Sequence, residues 1–378
     1  MQHVKVRNLD SGDAEIVHVI GAIAAGGAER FVVNLACELA RQGRRVELWS
    51  MSNRTEPVTS AFQQQLREAG VVLRHGPTGR IGVRTVFWFR RLLRAIQPGV
   101  LHLHTPNTEL LHFLTMLLST KKRRVFRTLH SSAVPQKAFQ KLVFLHATYE
   151  RTVACGTAVF SKFSGLGFSR LTTIRNGVAF HWPIQTPEIR SKIRAQLGIS
   201  NGVKVFVAIG RMDGANLVES PKGHNSLIAA WKQSHIARVY GELHFIGDGP
   251  LKSALQSLVP VDATIRFHGI QPEPHNWLLA ADCFVMPSRW EGLPVAGIEG
   301  IGTGLHCILS DIPPLRELHP PYVRWFNVDD VTELATAMDN ACGMHELPDY
   351  EAIMRFRRDF SIAICANKYL ALYFGGGD

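Results

Sequence analysis

At 378 residues the chain is too long for one typical hydrophobic core, so two domains are expected. Hydrophobic residues make up 46% of it, as in a soluble globular protein, and no apolar run reaches bilayer length; the best, Leu110–Leu118, is short and interrupted by His112. The net charge of +11 divides unevenly: residues 1–180 hold 25 Lys and Arg against 10 Asp and Glu, a net +15, while the remainder holds 17 against 21, a net −4. Such a split points to an anionic partner for the first part. Residues 1–15 are polar and are expected to precede the fold, and the opening MQHVKVRNLD lacks an apolar signal core, which implies the cytoplasm. Ile16–Ile20 reads as a buried strand, followed by a loop from Gly21 to Gly27. The next helix gathers Phe31, Val32, Leu35, Ala36 and Leu39 on one face and stops at Gly43. Val46–Ser50 is the second strand, and the alternation opens a doubly wound α/β domain.

Phe87, Trp88 and Phe89 share a helix with Arg90, Arg91 and Arg94, and Lys121–Arg124 is a dense basic cluster. These charges read either as a solvated face or as a grip on an anionic membrane surface. No zinc-finger, homeodomain or RNP-type pattern accompanies them, which argues against nucleic acid. The strand Gly99–His104 puts His102 and His104 on one face; no third metal ligand follows at sensible spacing. A further strand, Val125–His130, ends in His130, where open α/β sheets bind ligands, although a histidine can also simply cap a strand. Six cysteines (Cys37, Cys155, Cys283, Cys307, Cys342 and Cys365) lack paired short spacings and read as reduced core thiols.

The boundary falls near residues 178–190, in the proline-bearing segment after Ile174–Val178. A second α/β unit begins with the strand Val203–Ile209, leading into Gly210-Arg211, and Pro221-Lys222-Gly223 opens a helix through Trp231. Two cations at a helix N-terminus suit a pyrophosphate. Strands at Leu243–Gly247 and Ile265–Gly269 and a short helix at Asn276–Asp282 lead to Phe284–Met286. There Pro287-Ser288 ends the strand, Gly292 turns the chain, and Pro294 suits the first turn of a helix. The free N–H groups of that helix form an anion site, with Glu291 at the loop mouth and Glu299 two turns along. A capping acid and a solvated helix glutamate are the plainer reading of the pair. A strand at Gly304–Ser310, the segment Pro313–Leu318 and an amphipathic tail, Ser361–Phe374, complete the chain; the terminal GGGD is expected to be disordered.

Taken in this order, these runs resemble the retaining nucleotide-sugar glycosyltransferases of the GT-B fold, specifically glycosyltransferase family 4. The family's Glu-x7-Glu pattern is matched by Ser288, Glu291, Gly292, Pro294 and Glu299, and its G-G-A-E-R loop by Gly26–Arg30. A plain strand-to-helix turn would also need those glycines. Also similar are L-H-x-H-T-P-N after Gly99, T-x-H at His130, I-x-N-G-V at Ile174–Val178, G-D-G-P at Gly247–Pro250 and the P-P-L-R-E-L run. The resemblance spans residues 16 to 374. It implies two doubly wound Rossmann-like domains facing across a cleft. Residues 1–178 would bind the acceptor, joined by a C-terminal helix at about 360–378, and residues 179–359 would bind the nucleotide sugar.

By the same resemblance Arg211 and Lys222 clamp the donor diphosphate, with the loop amides of Gly292, Leu293 and Val295 and the turn at Pro294 nearby. Glu299 takes the ribose, Glu291 the donor sugar, His130 the transferred sugar or its phosphate. Gly26, Gly27, Gly269 and Ile270 complete the donor site, the last two where the base rests. Arg211 and Lys222 stand eleven residues apart, several more than is common in the family, with Met212–Ser220 as an insertion. There is no Asp-x-Asp pattern, so neither a metal nor another cofactor is required. The implied partners are a nucleotide sugar, a saccharide or lipid-linked acceptor and an anionic membrane surface, with the enzyme peripheral on the cytoplasmic face. A sugar-nucleotide epimerase of the same fold and a non-catalytic glycan-binding subunit are the rival readings.

Overall fold

The structure, a computed structural model, describes residues 14–53, 57–117, 123–147, 149–235, 239–259, 264–343 and 349–375. Most of the polar start, and Gly376–Asp378 of the terminal run, fall outside these ranges. Ala14 and Glu15 do not precede the fold: Ala14 is buried, and the Glu15 amide donates to the Arg45 carbonyl at 3.0 Å.

Among the described residues thirteen strands form two sheets, each wholly parallel. The first holds β1 (Ile16–Ile20), β2 (Val46–Ser50), β3 (Val72–His75), β4 (Val100–Leu103), β5 (Arg124–Leu129), β6 (Arg151–Ala154) and β7 (Leu171–Thr173), in the order β3-β2-β1-β4-β5-β6-β7. The second holds β8 (Lys204–Ile209), β9 (Gly241–Ile246), β10 (Ile265–Phe267), β11 (Cys283–Met286), β12 (His306–Ser310) and β13 (Val323–Phe326), in the order β10-β9-β8-β11-β12-β13. Strands such as β1, β2 and β11 are buried along their whole length, because helices cover both sheet faces. Strand order reverses between β1 and β4 in one sheet and between β8 and β11 in the other, and ligands of such sheets bind outside the strand ends at these points.

The chain crosses between the two halves at two adjacent places. The Val178 amide donates to Phe360 and its carbonyl accepts from Ile362, so outgoing and returning segments lie side by side. A Cβ on Gly177 would stand 2.8 Å from Ile362 Cα, which explains a glycine there. After the crossing, the Ile362–Phe374 helix packs on the first sheet, where Tyr369 bonds Thr128 at 3.0 Å and Tyr373 bonds His102. All six cysteines are unpaired, five of them buried. Among the described residues no helix is long and apolar enough to cross a membrane.

Two expectations about the surface change. Lys121 and Lys122 lie outside the described residues, and the two arginines that follow are turned to structural use. Arg124 Nη1 donates to the Tyr373 carbonyl at 2.6 Å, and Arg123 Nη2 to the Leu93 carbonyl at 3.4 Å. Of the aromatic triplet, only Phe87 is exposed, at 63%; Trp88 is half-buried and Phe89 fully buried against Trp49. The outer face of the Val83–Ile96 helix instead presents Val83, Arg84, Phe87, Arg91 and Arg94, at the three-and-four spacing of one helix side.

Candidate active site

A cavity of about 540 Å³ opens between the carboxyl ends of the two sheets. Each sheet contributes at its point of reversed strand order. From the first come the loop after β1, with Gly26 and Gly27 at the start of the Gly27–Arg41 helix, and His104 and His130 after β4 and β5. From the second come Gly210 and Arg211 after β8 and the Glu291–Val295 loop after β11, which runs into the Val295–Gly302 helix. The two helix N-termini meet here, since a Cβ on Gly27 would touch Val295 at 3.7 Å.

Every candidate site residue except one lines this cavity: Gly26, Gly27, His130, Arg211, Lys222, Ile270, Glu291, Gly292, Leu293, Pro294, Val295 and Glu299. Gly269 does not. It sits at φ +67°, its carbonyl accepts from the Gly247 amide at 2.8 Å, and it shapes the turn that presents Ile270.

At Gly292 the two halves lie in close contact. A Cβ there would lie 2.1 Å from the His130 carbonyl oxygen, so any side chain would push the loop off the first sheet. Asn176, from the linker motif, holds the same loop by donating from Nδ2 to the Leu293 carbonyl at 2.8 Å. Glu317 bonds across the halves as well, its Oε2 accepting from the Thr157 amide and hydroxyl, both at 2.7 Å.

The cations are held ready by carboxylates. Lys222 Nζ donates to Glu291 Oε1 at 2.6 Å, and the Ser288 hydroxyl donates to the same oxygen at 2.7 Å. Arg211 Nε lies 2.7 Å from Asp213 Oδ2. The long spacing between Arg211 and Lys222 does not displace Lys222, because the intervening residues loop out from a narrow neck. A Cβ on Gly214 would meet Ser220 Cα at 2.9 Å, and Arg289 grips the Ser220 carbonyl at 2.8 Å. The Lys222 stem then lies along Gly210, where a Cβ would be 3.5 Å from its carbons.

Glu299 is buried, which pushes its carboxyl above the usual range, while Arg30 at 3.8 Å opposes that shift. Arg30 belongs to the glycine-loop run but has no role in the sequence reading; only the meeting of the two helices places it beside Glu299. Asp213 was equally hidden, inside the insertion.

The histidines differ most from expectation. His102 and His104 do have a third neighbour, His18 on β1, brought in by the parallel register that sets His18 beside His102. One nitrogen from each of the three rings lies within 4.8 Å of the other two. Nearly all the ring nitrogens are engaged in hydrogen bonds: His18 Nδ1 with His104 Nε2 at 2.9 Å, His104 Nδ1 with His130 Nε2 at 3.1 Å, and His102 with Tyr373 and Thr128. Burial lowers the pKa of His18 to about 3 and of His130 to about 4, and lowers His102 and His104 as well, so all four rings are neutral.

Two doubly wound halves facing across a cation-lined cleft define the GT-B fold. Residues 25–181 match the family described as Glycosyltransferase Family 4, and residues 203–343 match Glycosyl transferases group 1. The chain belongs to the GT-B glycosyltransferases of the family 4 type. It is 26% identical over 371 residues, 92% of this chain and 91% of the relative, to the GDP-mannose:cellobiosyl-diphosphopolyprenol alpha-mannosyltransferase of Xanthomonas oryzae pv. oryzae. It is 30% identical over 156 residues, 38% of this chain and 37% of the other, to an Escherichia coli UDP-Gal:alpha-D-GlcNAc-diphosphoundecaprenol alpha-1,3-galactosyltransferase. The crystal structure of Anabaena HepE with UDP and glucose shares the fold, with a TM-score of 0.77 at 15% identity over 94% of this chain and 98% of that one.

Proposed function

We propose that this glycosyltransferase moves a sugar, with retention of configuration, from a nucleoside-diphosphate sugar to a lipid-linked saccharide in the assembly of a bacterial surface polysaccharide. The observation that carries the reading is the convergence of Arg211, Lys222 and two helix N-termini on one cavity between the sheets. Such groups favour negative charge and cost no reorganisation when it develops.

In the proposed reaction the bond from the anomeric carbon to the diphosphate breaks, and its electron pair goes to the phosphate oxygen. The acceptor hydroxyl forms the new bond from the same face and gives its proton to the departing diphosphate. Arg211 and Lys222 neutralise that group without a divalent metal, exchanging their carboxylate partners for phosphate oxygens. Glu291, fixed by Ser288 and Lys222, faces the donor sugar, and Glu299 accepts hydrogen bonds from the ribose. The half through Val178, with the last helix, receives the acceptor; the other half holds the donor.

Acceptors on polyprenyl diphosphates are named for the Xanthomonas and Escherichia coli relatives, and the outer helices of the first half suit work at a membrane. Phe87 on the Val83–Ile96 helix, Leu117 beyond the Pro106–Met116 helix, and Phe139 and Leu142 on the Ala138–His146 helix are all exposed. Arg84, Arg91 and Arg94 on the first of these helices, Lys137 at the N-terminus of the last and Lys141 on it are exposed as well. Apolar anchors that share their helices with exposed cations favour an anionic leaflet, which supports a peripheral enzyme on the cytoplasmic face.

The test is a panel of UDP- and GDP-sugars, first by thermal shift and then with lipid-linked saccharide acceptors, reading the anomeric configuration of the product by NMR. A donor at a hundred times its dissociation constant should add about 2.7 kcal/mol of stability. An inverted linkage would refute retention. Conversion of the donor without acceptor would make the chain an epimerase, and binding without turnover a glycan-binding subunit.

A further inference from the structure

Three histidines, His18 on β1 and His104 and His130 just past the ends of β4 and β5, lead into the cavity, and the reaction steps above use none of them. His18 meets His104 at 2.9 Å, His104 meets His130 at 3.1 Å, and His104 and His130 line the cavity. The chain has two loose ends, both buried: His18 Nε2 and His130 Nδ1 have no partner in the protein. A neutral imidazole carries one N–H and one bare nitrogen, so in a row of neutral rings every hydrogen bond must point the same way. Pointing away from the cavity would bury an N–H of His18 with no acceptor. Pointing toward it leaves a bare nitrogen at His18 and puts the unpartnered N–H on His130, the one end that lines the cavity, where a bound ligand can accept it.

We propose that His18 and His104 are positioning residues that lock His130 with its proton on Nδ1, so that His130 meets the sugar donor as a hydrogen-bond donor. All three rings then carry their proton on Nδ1. The occupant this end selects is an oxygen acceptor, supplied either by a donor phosphate or by a hydroxyl of the transferred sugar. The proposal rests on the reading that the cavity holds a nucleotide sugar. A metal held by His18, His102 and His104 is the competing use of the cluster. It fits less well, because both nitrogens of His102 and both of His104 already bond protein groups, and 2.9 Å between His18 and His104 is a hydrogen-bond separation.

The test begins without any substrate. In the full-length protein labelled with ring-15N histidine, long-range 15N–1H spectra should show His18, His104 and His130 each protonated on Nδ1 and bare on Nε2. A proton on His130 Nε2, or a stoichiometric metal in the purified protein, overturns the proposal. The second arm titrates UDP-glucose, UDP-galactose and GDP-mannose, each beside its free diphosphate, into His104→Leu and His104→Gln. Glutamine can accept from one neighbour and donate to the other, as the ring does; leucine can do neither. His104→Leu should bind whichever nucleotide sugar the native chain binds about fivefold to tenfold more weakly, and His104→Gln within about threefold of native. A loss shared by the free diphosphate assigns the partner oxygen to phosphate, and a loss confined to the sugar form assigns it to a sugar hydroxyl. Equal weakening in both variants, or in neither, overturns the relay. If the tautomers are as stated but no nucleotide sugar binds, the link to a sugar donor falls while the hydrogen-bond chain stands.

Discussion

The two walls of the cleft solve different problems with different chemistry. The second-sheet wall is ionic, with Lys222 on Glu291 and Arg211 on Asp213, each pair a cation already shaped for an anion. The first-sheet wall presents neutral imidazoles at its strand ends, although this half of the chain carries the net +15. Much of that charge is not offered to a ligand: Arg84, Arg91 and Arg94 are exposed on an outer helix, and Arg127 is buried in a 2.9 Å pair with Glu109. The lesson is that net charge reports on a surface, and a binding site is decided by the few groups at the strand ends. One wall pulls on the diphosphate; the other sorts by the direction of its hydrogen bonds.

The largest expected effect attacks the ionic wall. Arg211→Ala should lower turnover by roughly a hundredfold or more, while excess chelator leaves the native enzyme active. Activity abolished by chelator and restored by magnesium would mean that a metal, rather than this wall, carries the charge.

Glu299→Ala comes next. It removes hydrogen bonds to a charged acceptor worth about 1.5–3 kcal/mol, so donor affinity should fall about tenfold to a hundredfold in calorimetric titration. Unchanged affinity would take the ribose away from Glu299.

Acid should act on the neutral wall. The pKa values of about 3 for His18 and about 4 for His130 lie below the ordinary 6.5, so the folded protein binds fewer protons than the unfolded chain. The stability this gives is complete above pH 6.5 and is lost as pH falls toward 4. Each such group contributes about 1.4 kcal/mol per pH unit within the window. Urea midpoints that stay level as the buffer is taken from neutral to acid would show that these rings are protonated in the fold.

The smallest effect concerns the outer charges. Arg91→Gln and Arg94→Gln should each weaken binding to anionic vesicles by about 1 kcal/mol, with added salt doing the same, and leave donor affinity alone. A protein that fails to float with such vesicles at low salt has a solvated basic face and nothing more.

Much of the molecule was legible from residue order alone. Continuous apolar runs bounded by glycine or proline mark buried parallel strands, and the β1 and β2 bounds agree with that reading to the residue. The strand-end residues His130, Arg211 and Glu291 could be placed in one cleft, since doubly wound sheets bind at their carboxyl ends. These are local signals of periodicity, turn chemistry and motif spacing. Tertiary structure decided what depends on which strands lie side by side. His18 reaches His104 across 86 residues because β1 pairs with β4 in parallel register. Arg30 finds Glu299 only where two helix N-termini meet, and Gly292 is required by a carbonyl belonging to the other half. Arg123 and Arg124 belong to a basic run in the sequence, yet the fold spends them on the carbonyls of Leu93 and Tyr373. A side chain's partner is set by sheet order and by the approach of the two halves, and neither leaves a periodic trace along the chain.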